Sequence, residues 1–193
     1  AILNPEQKQR YDEMAGEATH PDVRALQAQP SRRPTVVFAG GGVEIKGAPV
    51  VLRMAPELIA RLPDVRIVIA GGGDPPLLQA LRALGEQVTV LGPVPFADMR
   101  ALFALSDLSI QASTWAENLP SVIFENYQVG TPMVASAIGG IPEIVQEGVT
   151  GYLVPPGDPQ ALAAAIAAHF ARPAEERRQM RLACRRYVTT ELA

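Results

Sequence analysis

From Thr35 onward the chain alternates short β-rich apolar runs with helical patterns, and the first three runs each stop in glycine. Thr35–Ala39 ends at Gly40-Gly41-Gly42, Val65–Ala70 at Gly71-Gly72-Gly73, and Gln87–Leu91 at Gly92-Pro93. Asp107–Ala112, Pro132–Ser136 and Thr150–Val154 continue the series as strands four to six. The stretches between them read as helices over Val50–Leu62 with a kink at Pro56, Leu77–Leu84, Phe96–Leu105, Leu119–Val129 and a short helix opened by Gly139–Glu143. Two further helices follow, over Pro159–Phe170 and from Pro173 to about Thr190. Strands joined by helices through short turns demand right-handed crossovers and a parallel sheet covered on both faces. The expected fold is α/β, a Rossmann-like three-layer αβα sandwich around a six-stranded parallel sheet. In such sheets ligands bind beyond the C-terminal strand ends, so the turns at 40–42, 71–74, 92–93 and 113–121 are expected on one rim.

Composition narrows the function classes. With 193 residues, 48% hydrophobic and 5% aromatic, the chain fits one domain, expected at 34–193. Residues 1–33, broken by Pro5, Pro21 and Pro30, read as a polar linker or arm with a short helix over Glu6–Ala15. A net charge of −3 argues against nucleic acid as a partner. The one basic run, Arg177, Arg178, Arg181, Arg185 and Arg186, reads as a solvated helix face, with peripheral membrane contact as the alternative. Cys184 is the only cysteine, which excludes an internal disulfide and points to a reducing, cytoplasmic compartment. His20 reads as a turn residue and His169 as surface or packing. No His, Cys or carboxylate cluster has metal-ligand spacing and no Ser-His-Asp set stands out, so a metal-free site without cofactor is expected.

The stretch from Ser113 to Glu125 carries the most specific chemistry. Glu117 and Glu125 stand eight residues apart across a turn and a helix start, with Asn118, Leu119, Pro120, Ser121 and Val122 between them. At 1.5 Å per residue they span at most about 12 Å, the order of a diphosphate with a sugar on each side. Free N–H groups at the helix start suit phosphate oxygens, and carboxylates at either end suit sugar hydroxyls. Ser121, Glu125 and Gln128 fall on one polar stripe of that helix, while Val122, Ile123, Asn126 and Val129 lie off it, largely towards the sheet. Gly40, Gly41 and Gly72 let backbone approach a ligand or simply turn tightly, and Lys46 adds a cation at the next helix start. Neither glycine run completes a dinucleotide fingerprint or a Walker loop, which disfavours a dehydrogenase-type domain.

In their order, these segments resemble the C-terminal, nucleotide-sugar-binding domain of family 4 retaining glycosyltransferases of the GT-B fold. The resemblance runs from about Thr35 to Tyr187. It rests on Phe38-Ala-Gly with Lys46-Gly47, Ile69-Ala-Gly-Gly-Gly, Val90-Leu-Gly-Pro-Val94, Glu117 and Glu125, Gly130-Thr-Pro-Met-Val-Ala135, Gly139-Gly-Ile-Pro-Glu143 and Thr150-Gly-Tyr-Leu-Val-Pro155. It implies that Glu125 binds the nucleotide ribose, Glu117 the donor sugar, and Lys46 the diphosphate. The backbone of Leu119–Val122 would meet phosphate, and the turn at Pro93 and Val94 would border the base. The implied reaction transfers a hexose-type sugar from a UDP-, GDP- or ADP-sugar with retention. The acceptor, a sugar, lipid or small molecule, would be held by an N-terminal domain or a partner subunit, without which the domain is expected to be inactive.

One position departs from that family's pattern. Gly41 stands where family members usually carry an Arg for the diphosphate. Loss of a charge-assisted hydrogen bond worth about 1.5–3 kcal/mol weakens phosphate binding roughly tenfold to a hundredfold. Arg33 or Arg53 is the expected substitute; otherwise the alternative reading, a degenerate non-catalytic GT-B-like binding or interaction module, applies.

Overall fold

A computed structural model of the chain describes residues 18–28 and 33–191. A helix α1 (Pro21–Ala28) precedes β1 (Thr35–Phe38), α2 (Ala48–Arg61), β2 (Arg66–Ala70), α3 (Pro75–Arg82), β3 (Val88–Gly92) and α4 (Phe96–Leu105). There follow β4 (Leu108–Gln111), α5 (Ser121–Val129), β5 (Met133–Ser136), α6 (Ile141–Ile144), β6 (Gly151–Val154), α7 (Pro159–Ala171) and α8 (Ala174–Glu191). All strand pairs are parallel and the sheet order is β3-β2-β1-β4-β5-β6. The expected sandwich forms, and its strand order reverses between β1 and β4, where an open parallel sheet leaves a crevice at its C-terminal edge.

Period-two alternation distributes the strands between two cores. Val36 and Phe38 of β1, with Ile67 and Ile69 of β2, pack with α2 and α7 on one face. Val37, Val68 and Ala70 face the other side, against α1, α4 and α5. A third cluster joins Ile123 and Tyr127 of α5 to Met133 and Ala135 of β5 and to buried Cys184 of α8. Cys184 is thus a packing residue whose thiol burial pushes up to about 12. Helix α2 runs through Pro56 unbroken, with the ring on its exposed face, where water can satisfy the carbonyl that loses its donor.

The segment read as an arm contributes to the core over its described part. Ala18 and Val23 are buried against Ala101–Phe103 of α4. Asp98 anchors them: its carboxylate accepts from Thr19 N at 2.9 Å, Thr19 Oγ1 at 2.9 Å and His20 N at 2.7 Å. Burial pushes the Asp98 carboxyl up, but those hydrogen bonds outweigh it and hold the group below its usual range. His20 is the turn residue expected, since its carbonyl accepts from Arg24 N at 2.9 Å as α1 begins. The helix expected over Glu6–Ala15 lies outside the described residues. Asp98→Ala is expected to cost about 2 kcal/mol and to open the chain near α1 to protease. Unchanged melting and cleavage patterns would show that α1 does not depend on this anchor.

Candidate functional site

Backbone contacts tie the loops at the C-terminal edge into one rim. Gly71 N donates to Gly92 O at 2.7 Å, Gly41 N to Ala70 O at 2.9 Å and Gly42 N to Gly72 O at 3.0 Å. Thr114 N donates to Ile45 O at 3.0 Å, and Gly140 N to Glu117 O at 2.8 Å. Two of these approaches require glycine. Gly47 has φ 92 and a side-chain carbon there would lie 2.0 Å from Ala112 O; at Gly140 it would lie 1.9 Å from Asn118 O. The loop between β4 and α5 is therefore gripped from both sides. The short helix expected after Gly139-Gly140 forms as α6, and the paired glycine carries no indication in the sequence of which backbone it meets.

Helix termini set the electrostatics at the switch point. Away from it, α3 and α7 are closed by Asp74, which accepts from Leu77 N, and by Asp158, which accepts from Ala161 N. The two helices that flank it, α2 and α5, start at Gly47 and Pro120 with no side-chain cap. At α2 the opening N–H groups are taken up within the turn, Ala48 N by Val43 O and Val50 N by Gly47 O, whereas Ser121 N and Val122 N of α5 meet no acceptor among the described residues, so free N–H groups and dipole favour an anion at the start of α5. The start of α5 lies two residues later than expected, so Asn118 and Leu119 are exposed loop residues, Pro120 is the buried cap, and Ser121 and Val122 form the first turn.

Glu117 is the best-connected side chain of the rim. Its Oε2 meets Lys46 Nζ at 2.8 Å, and its Oε1 accepts from Gln111 Nε2 at 3.0 Å and from the Ser113 hydroxyl. Gln111 Nε2 also reaches Ser113 Oγ at 3.1 Å. Sequence reasoning missed Gln111 and Ser113, although a Gln at the end of a strand expected to be buried on both faces is a legible signal. Glu125, one turn into α5, is half-buried, and its carboxylate takes no hydrogen bond or ion pair among the described residues. Ser121 and Gln128 are exposed on its face, while Ile123, Asn126 and Val129 are buried, as the stripe predicted.

The remaining candidates divide. Gly72 adjoins Pro93, since a side-chain carbon at Gly72 would lie 3.6 Å from Pro93 Cγ. Val94 packs against the second core. Gly40 is partly exposed beside the Phe38 ring, whereas Gly41 is buried and joins two loops. Arg33 is no substitute for a cation at the rim. Its guanidinium donates to Asp64 O at 3.0 Å and Val65 O at 3.4 Å, just before β2 begins and so at the opposite edge of the sheet. Arg53 is exposed on α2, roughly 10 Å along the helix from Lys46 at 1.5 Å per residue.

Position 41 cannot simply regain an Arg. Gly41 has φ 54, and a side-chain carbon would lie 2.1 Å from Gly72 O. Gly41→Arg is expected to destabilise the domain by about 2 kcal/mol, seen as a lower melting temperature. An equal or higher one would show that the two glycine loops part without cost.

Among the described residues no group of His, Cys, Asp and Glu is placed to hold a metal ion, and no helix is long and apolar enough to cross a membrane. Residues 33–171 match the profile of the family described as "Glycosyl transferases group 1". Over 140 residues the chain is 36% identical to a D-inositol 3-phosphate glycosyltransferase of Mycobacterium sp. (strain KMS), covering 68% of this chain and 31% of that protein. It is 33% identical over 129 residues to spore coat protein SA of Bacillus subtilis, covering 62% of this chain and 34% of that one. Among solved structures, Anabaena HepE in complex with UDP and glucose superposes with a TM-score of 0.74 at 26% identity, over 90% of this chain and 49% of HepE. Sucrose-phosphate synthase from Thermosynechococcus elongatus gives 0.73 at 26% identity, over 95% of this chain and 52% of that one. The chain thus spans about a third of the curated relatives and about half of these structures. By the profile match and the shared fold, the chain belongs to the glycosyl transferases group 1 family and corresponds to the C-terminal domain of a GT-B glycosyltransferase.

Proposed function

We propose that this domain binds the nucleoside diphosphate sugar donor of a retaining glycosyltransferase, which transfers a hexose-type sugar to an acceptor held by a second domain or subunit. The observation that carries the proposal is the switch-point crevice itself. The free N-terminus of α5, the Lys46 ammonium and the unpaired Glu125 carboxylate border the place where an α/β sheet binds ligands. The diphosphate would sit against the first turn of α5 with Lys46 as its cation. Glu125 would accept from the ribose hydroxyls, and Glu117 would lie on the sugar side. Gly40, Gly72 and the Pro93–Val94 turn would border the nucleotide, and the backbone of Asn118–Val122 would line the phosphates. No protein nucleophile and no metal enters the proposal. HepE, solved with UDP-glucose as well as with UDP and glucose, supports a uridine donor as the first probe.

The test is a calorimetric panel of UDP, GDP and ADP with their glucose esters. One base is expected to bind in the micromolar to millimolar range typical of enzyme substrates. A second reading rests on Gly41, which leaves the site without the family's Arg. It makes the domain a binding module that no longer takes a donor. Failure of every nucleotide to bind or to raise the melting temperature at millimolar concentration would establish that reading and refute the first.

A further inference from the structure

We propose that Gln111 and Ser113 are positioning residues of the donor site, which fix Glu117 so that one acceptor position is left beside Lys46 for a hydroxyl of the transferred sugar. This rests on the donor-site reading above. A carboxylate has about four lone-pair sites. Three of those on Glu117 are used: Oε1 takes the Gln111 amide and the Ser113 hydroxyl, and Oε2 takes Lys46 Nζ at 2.8 Å. The one that remains is on Oε2, next to the ammonium. A sugar hydroxyl and the phosphate to which that sugar is bonded are thereby addressed by adjacent groups, a carboxylate for the first and a cation for the second.

Burial shows that the arrangement is built into the fold. Ser113 is 0% exposed and Gln111 6%, and both direct their donors to one oxygen of a carboxylate that opens to the rim. A loop carboxylate without them would keep its bond to Lys46 but rotate about it. The backbone on either side is already immobilised, by Gly47 against Ala112 and by Gly140 against Glu117 and Asn118. The side-chain torsions of Glu117 are therefore the remaining freedom, and Gln111 and Ser113 remove it.

The readout is the affinity of UDP-glucose relative to UDP, which isolates the sugar. In wild type UDP-glucose is expected to bind more tightly. Gln111→Leu is expected to reduce that advantage at least about tenfold, the lower end of the worth of a single hydrogen bond to a charged group, with UDP changed by less than about twofold. Ser113→Ala should act in the same direction and serves if Gln111→Leu fails to fold, while Ser113→Thr, which keeps the hydroxyl, should restore the wild-type ratio. An equal fall for both ligands would mean a merely structural role and overturn the proposal. So would an unchanged ratio, or no advantage of UDP-glucose in wild type. Wild-type protein that binds neither ligand would instead refute the uridine donor site itself, and this positioning role with it.

Discussion

Replacing Glu125 by Ala is expected to lower the affinity of this domain for UDP about a hundredfold while its melting temperature stays within about 2 °C of wild type. The first half follows from bonding. A carboxylate accepting from both ribose hydroxyls forms two charge-assisted hydrogen bonds at about 1.5–3 kcal/mol each, and truncation forfeits about 3 kcal/mol once water re-solvates the hydroxyls. The second half follows from the unliganded fold. Glu125 is half-buried and bonded to nothing among the described residues, so its removal orphans no partner. Alanine also suits a helix interior at least as well as glutamate. Calorimetry with UDP on both proteins decides the point, with GDP and ADP as controls. Equal affinity would remove Glu125 from the site, and a large drop in melting temperature would make it a structural residue.

The strands were legible because period-two apolar runs and glycine stops are local signals, and all six appear within one or two residues of their expected bounds. The start of α5 was less so. Leu119 precedes Pro120, and a residue before proline is held out of the helical region, so the helix begins only at Ser121. The docking of α1 was hidden for a different reason. Its anchor, Asp98, is 78 and 79 residues away from the groups it binds, and Val23 is the only residue of that helix to be fully covered. The same distance limit governs the site. Glu117 and Glu125 could be named from their spacing and Lys46 from its helix start. That Lys46 and Glu117 are an ion pair depends on a contact across 71 residues. The role of Gly41 also differs from what its place in the motif suggested. Its positive φ and its closeness to Gly72 show a loop junction, which no count of residues from Lys46 could reveal.

His169 gives the fold an acid-sensitive core between pH 6.5 and 4. It is 1% exposed on α7, its Nδ1 lies 3.1 Å from Tyr152 Oη, and its ring meets Tyr152 and Phe170 edge-on. Burial, and then the charges of Arg177, Arg172 and Arg181, lower its pKa from 6.5 to about 4. As the pH falls below 6.5 the unfolded chain takes up a proton that the folded chain refuses, so stability falls at up to about 1.4 kcal/mol per pH unit. The total by pH 4 is about 3 kcal/mol, or roughly 6–12 °C in melting temperature for a domain of this size. Below pH 4 the folded imidazole also protonates and this contribution levels off. Other groups act elsewhere or oppositely. Asp98, held low, contributes its loss only below its ordinary range near 3.8. Asp107 is pushed up by burial, takes a proton more readily folded than unfolded, and so stabilises slightly as the pH falls. Comparison with His169→Gln cancels both, because the amide keeps a partner for Tyr152 Oη and does not titrate. Melting curves from pH 7.5 to 4 should fall steeply in wild type and remain nearly flat down to about pH 4.5 in the variant, whatever its starting stability. Parallel curves would mean that His169 is charged in the fold, which three neighbouring guanidinium groups and a nearly complete loss of water contact oppose.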